Sequence, residues 1–400
     1  MYNIGLYIHV PYCKYMCHYC DFAKTANWDN VHVDGYFKQV KLHIYYWIKA
    51  LESMYEFKIS SVFFGGGTPG LFIHYLETIL DDVRDKLTQD CEISLEINPE
   101  NATEYSLNHA KQIGINRISM GVQTFSQRGL DLLTRKHSTN DCSSAIDKIR
   151  DKFRNYNCDI IYGWPTQSLE ELQSDLEYLV NFEVPHLSFY TLTFEPKTPF
   201  GRLKDKKAIK ETSDVKFLQF YRNIKKTLLS SYQHDEVSNW SKGTYTCKHN
   251  WLYWQNGYYL SIGSGSHGYL PSPKSKIGIR YFYDRSDRSF IKSILDRSQI
   301  ADIISDVDCN VKGITRDVRD DKSWLYEYIG SSLRSSKGCD ISLIENTIGY
   351  KFLPSDFIKR QEGDGVIRFN VHNLILNSHE WFRETYWCHK IIECFHKSYR

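Results

Sequence analysis

The sequence predicts an α/β fold, in which a partial (β/α)6 barrel is followed by a small C-terminal α+β domain. Strand-like runs alternate with helix-like runs through the first half of the 400-residue chain, which is the pattern of parallel βα units. The strand-like runs are mostly apolar on both faces, as strands buried on both sides are. Glycines and polar residues follow several of these strands, and they indicate where a site would form.

The six predicted strands are short and rich in β-branched and aromatic residues. Longer segments separate them, so each strand has room for a helix after it. The strands are predicted at residues 5–10, 61–66, 93–97, 117–122, 158–163 and 186–192.

Helical spacing of apolar residues marks the segments between the strands, as in residues 37–54 and 71–87. Residues 168–182 show the same spacing and open with Ser168, which Glu171 follows three residues later. This pair is a capping-box pattern, and it predicts the beginning of a helix.

The loops favour a barrel over an open doubly wound sheet. Barrel-type sites collect residues from many strand ends at one face. Here such residues follow different strands: the cysteines within 13–20, the glycines at 65–67, Glu96, Gln123 and Asp159. A dinucleotide-binding fold would place G-x-G-x-x-G in its first βα turn, and none follows the first strand.

The second half of the chain is less regular. Basic residues 201–211 predict a solvated loop or the start of a helix. Residues 238–270 are dense in aromatics and glycine, and they predict strands and loops packed on the barrel end. Helices are predicted near residues 323–334, 340–349 and 378–396.

We therefore predict three parts: a barrel with the ligand site at residues 1–235, an aromatic and glycine-rich extension at 236–300, and a small domain at 301–400. Hydrophobic content of 42% and charged content of 24% are ordinary for a soluble globular protein. The 29 tyrosines could serve a planar ligand, and a compositional bias of the genome would explain them equally.

Charge and hydropathy exclude some classes of protein. The formal net charge of +2 gives no electrostatic reason to expect nucleic acid as the main partner. No apolar run is long enough to span a bilayer. A cleaved signal peptide cannot precede a cysteine motif that starts at position 13, so we expect a cytoplasmic protein.

Cysteine usage points to a metal centre in a reducing compartment. Cys13, Cys17 and Cys20 form a C-x3-C-x2-C motif, whereas Cys388 and Cys394 lie six residues apart and do not share a helix face. The remaining cysteines are scattered and are expected to be small buried apolar residues: Cys91, Cys142, Cys158, Cys247, Cys309 and Cys339.

The three-cysteine motif favours an iron–sulfur cluster. Zinc usually needs a fourth cysteine or histidine, and His18 within the loop is poorly placed to supply it. A four-iron cluster held by three thiolates keeps one iron free for an external ligand. A zinc site and an inert loop remain the alternatives.

The motif, lying after the first strand of a predicted barrel, resembles the radical S-adenosylmethionine (SAM) superfamily. The resemblance implies a [4Fe-4S] cluster held by Cys13, Cys17 and Cys20, with SAM bound to its free iron. Carried over by motif, the residues that would contact SAM or flank it are Tyr7, Tyr19, Gly66, Gly67, Thr68, Glu96, Gln123, Arg135 and Asp159. His9 would lie near the cluster, with a plain core histidine as the alternative.

A closer resemblance covers roughly residues 4–270, through LYIHVPYC, CHYCDF, FFGGGTP, EINPE, RISMGVQTF, DIIYGWPTQ and HLSFYTLTFEPKTPFG. It is similar to the branch that contains oxygen-independent coproporphyrinogen III oxidase and the HemW-type heme chaperones. Cys20 is followed by Asp21 and Phe22 without a further cysteine, and little chain precedes the motif. Both features match the chaperones.

The segment HNWLYW matches the HN-x-x-YW signature of the chaperones, and it implies heme contacts from His249, Tyr253 and Trp254. An imidazole can ligate iron and the aromatic faces suit a porphyrin. A structural aromatic loop with His249 hydrogen-bonded inside is the alternative. The implied partners are heme and an unidentified acceptor protein, and a membrane-associated acceptor and a homodimer stay open.

Two rival functions stay open as well. One is a true enzyme that decarboxylates coproporphyrinogen III in porphyrin biosynthesis. The other is a cluster-bearing protein that uses neither heme nor radical chemistry. No catalytic residue is assigned, and the sequence leaves open whether SAM is cleaved.

Overall fold

A computed structural model describes residues 1–305, 311–370 and 372–397. Within them, twelve strands form one sheet: β1 (Tyr2–Val10), β2 (Phe57–Gly66), β3 (Leu87–Ile97), β4 (Arg117–Gln123), β5 (Asn155–Tyr162), β6 (His186–Thr191), β7 (Gln233–Glu236), β8 (Asn239–Ser241), β9 (Tyr259–Ile262), β10 (His267–Leu270), β11 (Ile279–Tyr283) and β12 (Ile314–Asp317).

The helices of the first 305 residues are α1 (Asn30–Glu52), α2 (Ile73–Val83), α3 (Glu104–Gln112), α4 (Gln127–Leu132), α5 (Thr139–Lys152), α6 (Leu169–Asn181), α7 (Pro199–Asp205), α8 (Asp214–Leu228), α9 (Lys248–Trp254), α10 (Asp287–Ile291) and α11 (Arg297–Ile304).

The sheet is an unclosed barrel. Its order is β12-β11-β10-β9-β1-β2-β3-β4-β5-β6-β8-β7, so the described strands β12 and β7 are its two edges. Strands β1 to β6 run parallel, which confirms the predicted partly open barrel. Strand β9 is a seventh parallel strand beside β1. The prediction that this segment packs on the barrel end was wrong for β9, because its short apolar run completes the free side of β1 instead.

The core lies between the sheet and its helices. Strand β1 buries most of its residues, and α1 packs Val40, Ile44 and Trp47 on the core at helical spacing. The predicted capping box of α6 is confirmed: Glu171 N donates to Ser168 Oγ at 3.2 Å, and Ser168 N donates to the Glu171 carboxylate at 2.8 Å.

Two predicted boundaries shift for local reasons. The helix expected at 71–87 ends at Val83, and Leu87 already begins β3 because it pairs with Ile59 of β2. The basic stretch at 201–211 belongs in part to α7, which begins earlier because Thr198 caps it and Pro199 suits its first turn.

The segment HNWLYW is a helix, α9, rather than a loop. Its N-terminal N–H groups are satisfied by Glu92 of β3, whose carboxylate accepts from Lys248 N at 3.1 Å and from His249 N at 3.3 Å. No side chain at the cap position of α9 itself makes such a bond. Since Glu92 is 155 residues away from Cys247, the local sequence contains no capping signal.

The C-terminal residues form further helices and two small sheets. These elements are α12 (Asp321–Ser332), β13 (Cys339–Asp340), α13 (Ile341–Ile348), β14 (Tyr350–Phe352), α14 (Asp356–Gly363), β15 (Ile367–Asn370), β16 (Asn373–Leu376), α15 (Glu384–Ile392) and β17 (Phe395–Lys397).

A second hydrophobic core, built largely of these elements, includes Trp324, Trp381 and Trp387. Hydrogen bonds join it to the barrel sheet, for example from Val237 N to Arg334 O at 2.9 Å. The scattered cysteines of the described residues are buried, as predicted, and Cys309 lies outside the described residues. No helix of the described part of the chain has the length and apolar character needed to cross a bilayer.

Candidate functional site

A cavity of about 850 Å³ lies inside the barrel. Its walls come from inward-facing residues of β3 to β6, its mouth from the cysteine loop after β1, and its inner end from α9. This volume is typical of a ligand-binding pocket. Nearly all of the sequence-predicted site residues line it: Tyr7, Cys13, Cys17, Tyr19, Cys20, Gly66, Gly67, Thr68, Glu96, Gln123, Arg135, Asp159, His249 and Tyr253.

The cysteine loop is fastened at its base. Cys13 N donates to Thr25 O at 3.0 Å, and Trp28 Nε1 donates to Cys13 O at 2.9 Å. The Lys24 ammonium donates to Cys20 O, which ties down the other end of the motif. Backbone held in this way fixes the direction of the side chains it carries.

The thiols of Cys13, Cys17 and Cys20 are free, half-buried and turned to the cavity. Among the described residues, no three His, Cys, Asp or Glu side chains are placed to hold a single metal ion. A four-iron cluster does not need that convergence, because each thiolate binds a different iron atom. Three unpaired thiols around an open pocket therefore fit a cluster better than a zinc ion.

Arg135 connects the cysteine loop to the barrel wall. Its guanidinium donates to Cys17 Sγ at 3.5 Å, to Asn98 Oδ1 at 2.7 Å and to Gly121 O at 3.1 Å. A positive charge beside a sulfur favours the thiolate, which is the form that binds metals. Asn98 was not predicted from the sequence, although it lies two residues beyond Glu96 on the same face.

The glycine loop approaches the cysteine loop closely. Gly67 N donates to Val10 O at 2.7 Å, and a Cβ at Gly67 would lie 2.7 Å from Tyr12 O. Gly66 has φ +114°, a conformation that favours glycine, and its N–H donates to Glu96 Oε2 at 3.0 Å. Thr68 N donates to Tyr12 O at 2.9 Å. The loop thus presents backbone to the cavity.

Two buried carboxyl groups line the wall. Burial, with Asp159 nearby, raises the pKa of Glu96 to about 8. Burial also raises the pKa of Asp159, although Ser119 donates to it at 3.1 Å and Asn157 at 2.7 Å. Gln123 ends β4 at φ +71°, and its amide lines the cavity beside them.

His9 supports the cysteine loop from below. Its Nε2–H donates to Ala23 O at 2.7 Å, so its Nδ1 accepts from the Tyr7 hydroxyl at 3.1 Å. Burial lowers the pKa of His9 to about 4, which keeps the ring neutral. Tyr19 lies on the cysteine loop itself and packs against a small apolar cluster that includes Phe200.

His249 is buried, with both ring nitrogens engaged. Nδ1 is hydrogen-bonded to Ser61 Oγ at 2.8 Å and Nε2 to the Tyr253 hydroxyl at 2.9 Å. The alternative that His249 is hydrogen-bonded inside the protein describes this structure. Trp254 does not line the barrel cavity, and it lies under the Arg334 guanidinium at 4.9 Å.

The inner part of the cavity contains polar residues that the sequence analysis missed. Arg117 and Ser119 precede Gln123 on β4, and Asn157 precedes Asp159 on β5, all on the cavity side. Successive inward side chains on a strand are two residues apart. Counting back by twos from Gln123 and Asp159 would have found them.

The cavity, the three free thiols at its mouth and the unclosed parallel barrel define a radical SAM protein. The sequence profile of the Radical SAM superfamily matches residues 7–179. The structure of coproporphyrinogen III oxidase from Escherichia coli is similar, with a TM-score of 0.74 over 98% of this chain and 90% of that one. At 18% identity this likeness supports the fold alone.

Sequence relatives narrow the class. A protein named heme chaperone HemW from Escherichia coli is 34% identical over 304 residues, which covers 74% of this chain and 78% of that protein. One of the same name from Buchnera aphidicola is 33% identical, covering 72% of this chain and 76% of that protein. The chain belongs to the HemW heme chaperone family of the radical SAM superfamily.

Proposed function

We propose that this protein is a heme chaperone, which holds a [4Fe-4S] cluster and SAM, binds heme and transfers it to an acceptor protein. The observation that carries the proposal is the placement of three free thiols and the HNWLYW helix at opposite ends of one cavity. Relatives named for the chaperone activity support it. We also propose a cytoplasmic location and an acceptor that is still to be identified.

In this proposal Cys13, Cys17 and Cys20 hold the cluster, and the residues of the adjoining loops hold SAM. When bound, these groups supply one-electron chemistry at a reactive sulfonium. The backbone of Gly66 and Gly67 lets a ligand approach closely, and the Glu96 carboxyl accepts hydrogen bonds from a ligand once it is ionised. Arg135 positions the loop through Cys17.

At the other end, His249 and Tyr253 are the proposed heme contacts. Burial, with Arg117 nearby, lowers the pKa of His249 to about 3, so the imidazole is neutral and suited to ligate iron. To do so through Nε2 it must release the Tyr253 hydroxyl, which is 37% exposed as a residue and able to move. Trp254 would contact heme only through a rearrangement of α9.

Heme titration of cluster-reconstituted protein tests the proposal. We expect binding with a Soret shift, together with iron and sulfide contents that fit one four-iron cluster per chain. The His249→Ala variant should lose the Soret shift, while His74→Ala, at an exposed position on α2, should not. An unchanged Soret band and affinity in His249→Ala would show that His249 is not the axial ligand.

The rival activity needs a separate assay. Anaerobic incubation with coproporphyrinogen III, SAM and a reductant should yield no protoporphyrinogen if the protein is a chaperone. Product at useful rates would identify an oxidase and reject the chaperone proposal.

A further inference from the structure

The inner end of the cavity contains an arginine with spare hydrogen-bond donors. Arg117 is the first residue of β4, lines the cavity and is only 1% exposed. Its Nη2 donates to His186 Nδ1 at 2.7 Å. Its Nε and Nη1, which carry three of the five N–H bonds, have no acceptor among the described residues.

The charge of Arg117 is also without a direct partner. The histidine that it contacts is neutral, because burial and the guanidinium itself hold the pKa of His186 well below its usual range. No carboxylate of the described residues forms an ion pair with Arg117. Glu92, which lies nearby, uses its oxygens to accept from the N-terminal N–H groups of α9. A buried cation left in this way is costly, unless a ligand supplies the opposite charge.

The other polar groups of the inner cavity are already satisfied by one another. Asn157 donates to Ser119 and to Asp159, and Ser188 donates to Asn157 Oδ1 at 3.2 Å. The guanidinium is therefore the group in this region with donors to spare. Guanidinium groups recognise planar oxyanions such as carboxylates.

The surroundings favour a singly charged oxyanion. Glu96 and Asp159 line the same cavity, and as acids they disfavour a second negative charge close by. A doubly charged phosphate would meet more repulsion than a carboxylate. A carboxylate on a flexible arm can reach the end of the barrel while the body of its ligand lies nearer to His249.

We propose that Arg117 binds a carboxylate of the barrel ligand and that this carboxylate is a propionate of heme. The identity of the ligand rests on the proposed function. The propionate would accept from the free N–H groups of Arg117 and neutralise the buried charge. Arg117 would then select for a porphyrin whose carboxylates are free.

Paired titrations with hemin and hemin dimethyl ester test this directly, because esterification removes the charge and leaves the ring intact. In cluster-reconstituted wild-type protein we expect the ester to bind roughly tenfold or more weakly, as expected for loss of a charged hydrogen bond. In Arg117→Met, hemin should lose roughly that factor and the ester should bind as in wild type. Arg150→Met, at an exposed position on α5, should behave as wild type with both.

Arg117→Gln serves as the second neutral variant in case Arg117→Met does not fold, and thermal melts establish which variants fold. The inference is overturned if the ester binds wild type as tightly as hemin does. It is equally overturned if the neutral variant weakens both ligands alike or neither. Wild-type protein that binds neither ligand would instead reject the proposed function and the heme assignment with it.

Discussion

Glu96 is a residue whose proton is held more tightly in the folded protein than in the unfolded chain. Its pKa is raised from 4.5 to about 8, chiefly by burial, so folding favours the neutral acid. The contribution to stability is complete below about pH 4.5 and is lost as the pH rises through 8. Ligand binding that needs the carboxylate would reverse this preference.

We therefore predict that Glu96→Gln stabilises the ligand-free protein at alkaline pH. Glutamine resembles the neutral acid, so the melting temperature of the variant should exceed that of wild type at pH 8, and the difference should shrink at pH 5.5. Thermal melts at the two pH values measure this. Identical pH dependence in the two proteins would contradict the raised pKa of Glu96.

At the same scale, the sequence was informative wherever chemistry is carried by a motif. Cys13, Cys17 and Cys20 were predicted together, and the structure places their thiols around one cavity. Arg117 was missed because an arginine at the start of a strand carries no pattern of its own. Only the pairing of β4 with its neighbours turns that side chain inward and buries it.

At the scale of elements, α9 depends on a missing side chain in β1. A Cβ at Gly5 would lie 2.6 Å from Leu252 Cδ1 and 2.9 Å from His249 Cε1, so glycine permits the helix to pack on the strand. The seven residues of α9 are too few for helical periodicity to be read, and its cap comes from Glu92. These are physical reasons why the sequence predicted the strands of the barrel but not this helix.

We expect Gly5→Ala to lower the melting temperature and weaken heme binding, because the new methyl group pushes α9 and His249 away from β1. Gly35→Ala is the matched control, since its methyl group would meet Ile291 at 3.4 Å within the long helix α1. There alanine should stabilise by about 0.5–1 kcal/mol. Equal effects of the two substitutions would argue against the packing role of Gly5.

At the scale of the whole molecule, His234 joins the two hydrophobic cores. Its ring stacks on Trp240 of the barrel sheet at 3.6 Å and contacts Trp381 of the second core at 4.5 Å. Neither ring nitrogen has a hydrogen-bond partner within the described residues. Burial, with Lys225 nearby, holds the pKa of His234 well below its usual value of 6.5, so the folded protein requires the neutral ring.

Acid should accordingly weaken the junction between the cores. The stability that the neutral ring contributes is complete above about pH 6.5 and is lost as the pH falls below that value. His234→Phe keeps the stacking and cannot be charged, so its stability should fall less than that of wild type between pH 7.5 and pH 5. Tryptophan fluorescence during urea unfolding measures the difference, with His74→Phe as the exposed control. A loss equal to that of wild type would exclude His234 as the sensitive group.

The position of β9 has a consequence for biosynthesis. Strand β1 carries the cysteine loop at its end, and one of its two parallel neighbours is separated from it by more than two hundred residues of chain. Such distant pairing is slow, and it must wait until the ribosome has delivered β9. The helix α9 that ends the cavity is made immediately before it. The nascent barrel is therefore open beneath its cysteines for most of translation, which gives the cell a period in which to load the cluster before the chamber closes.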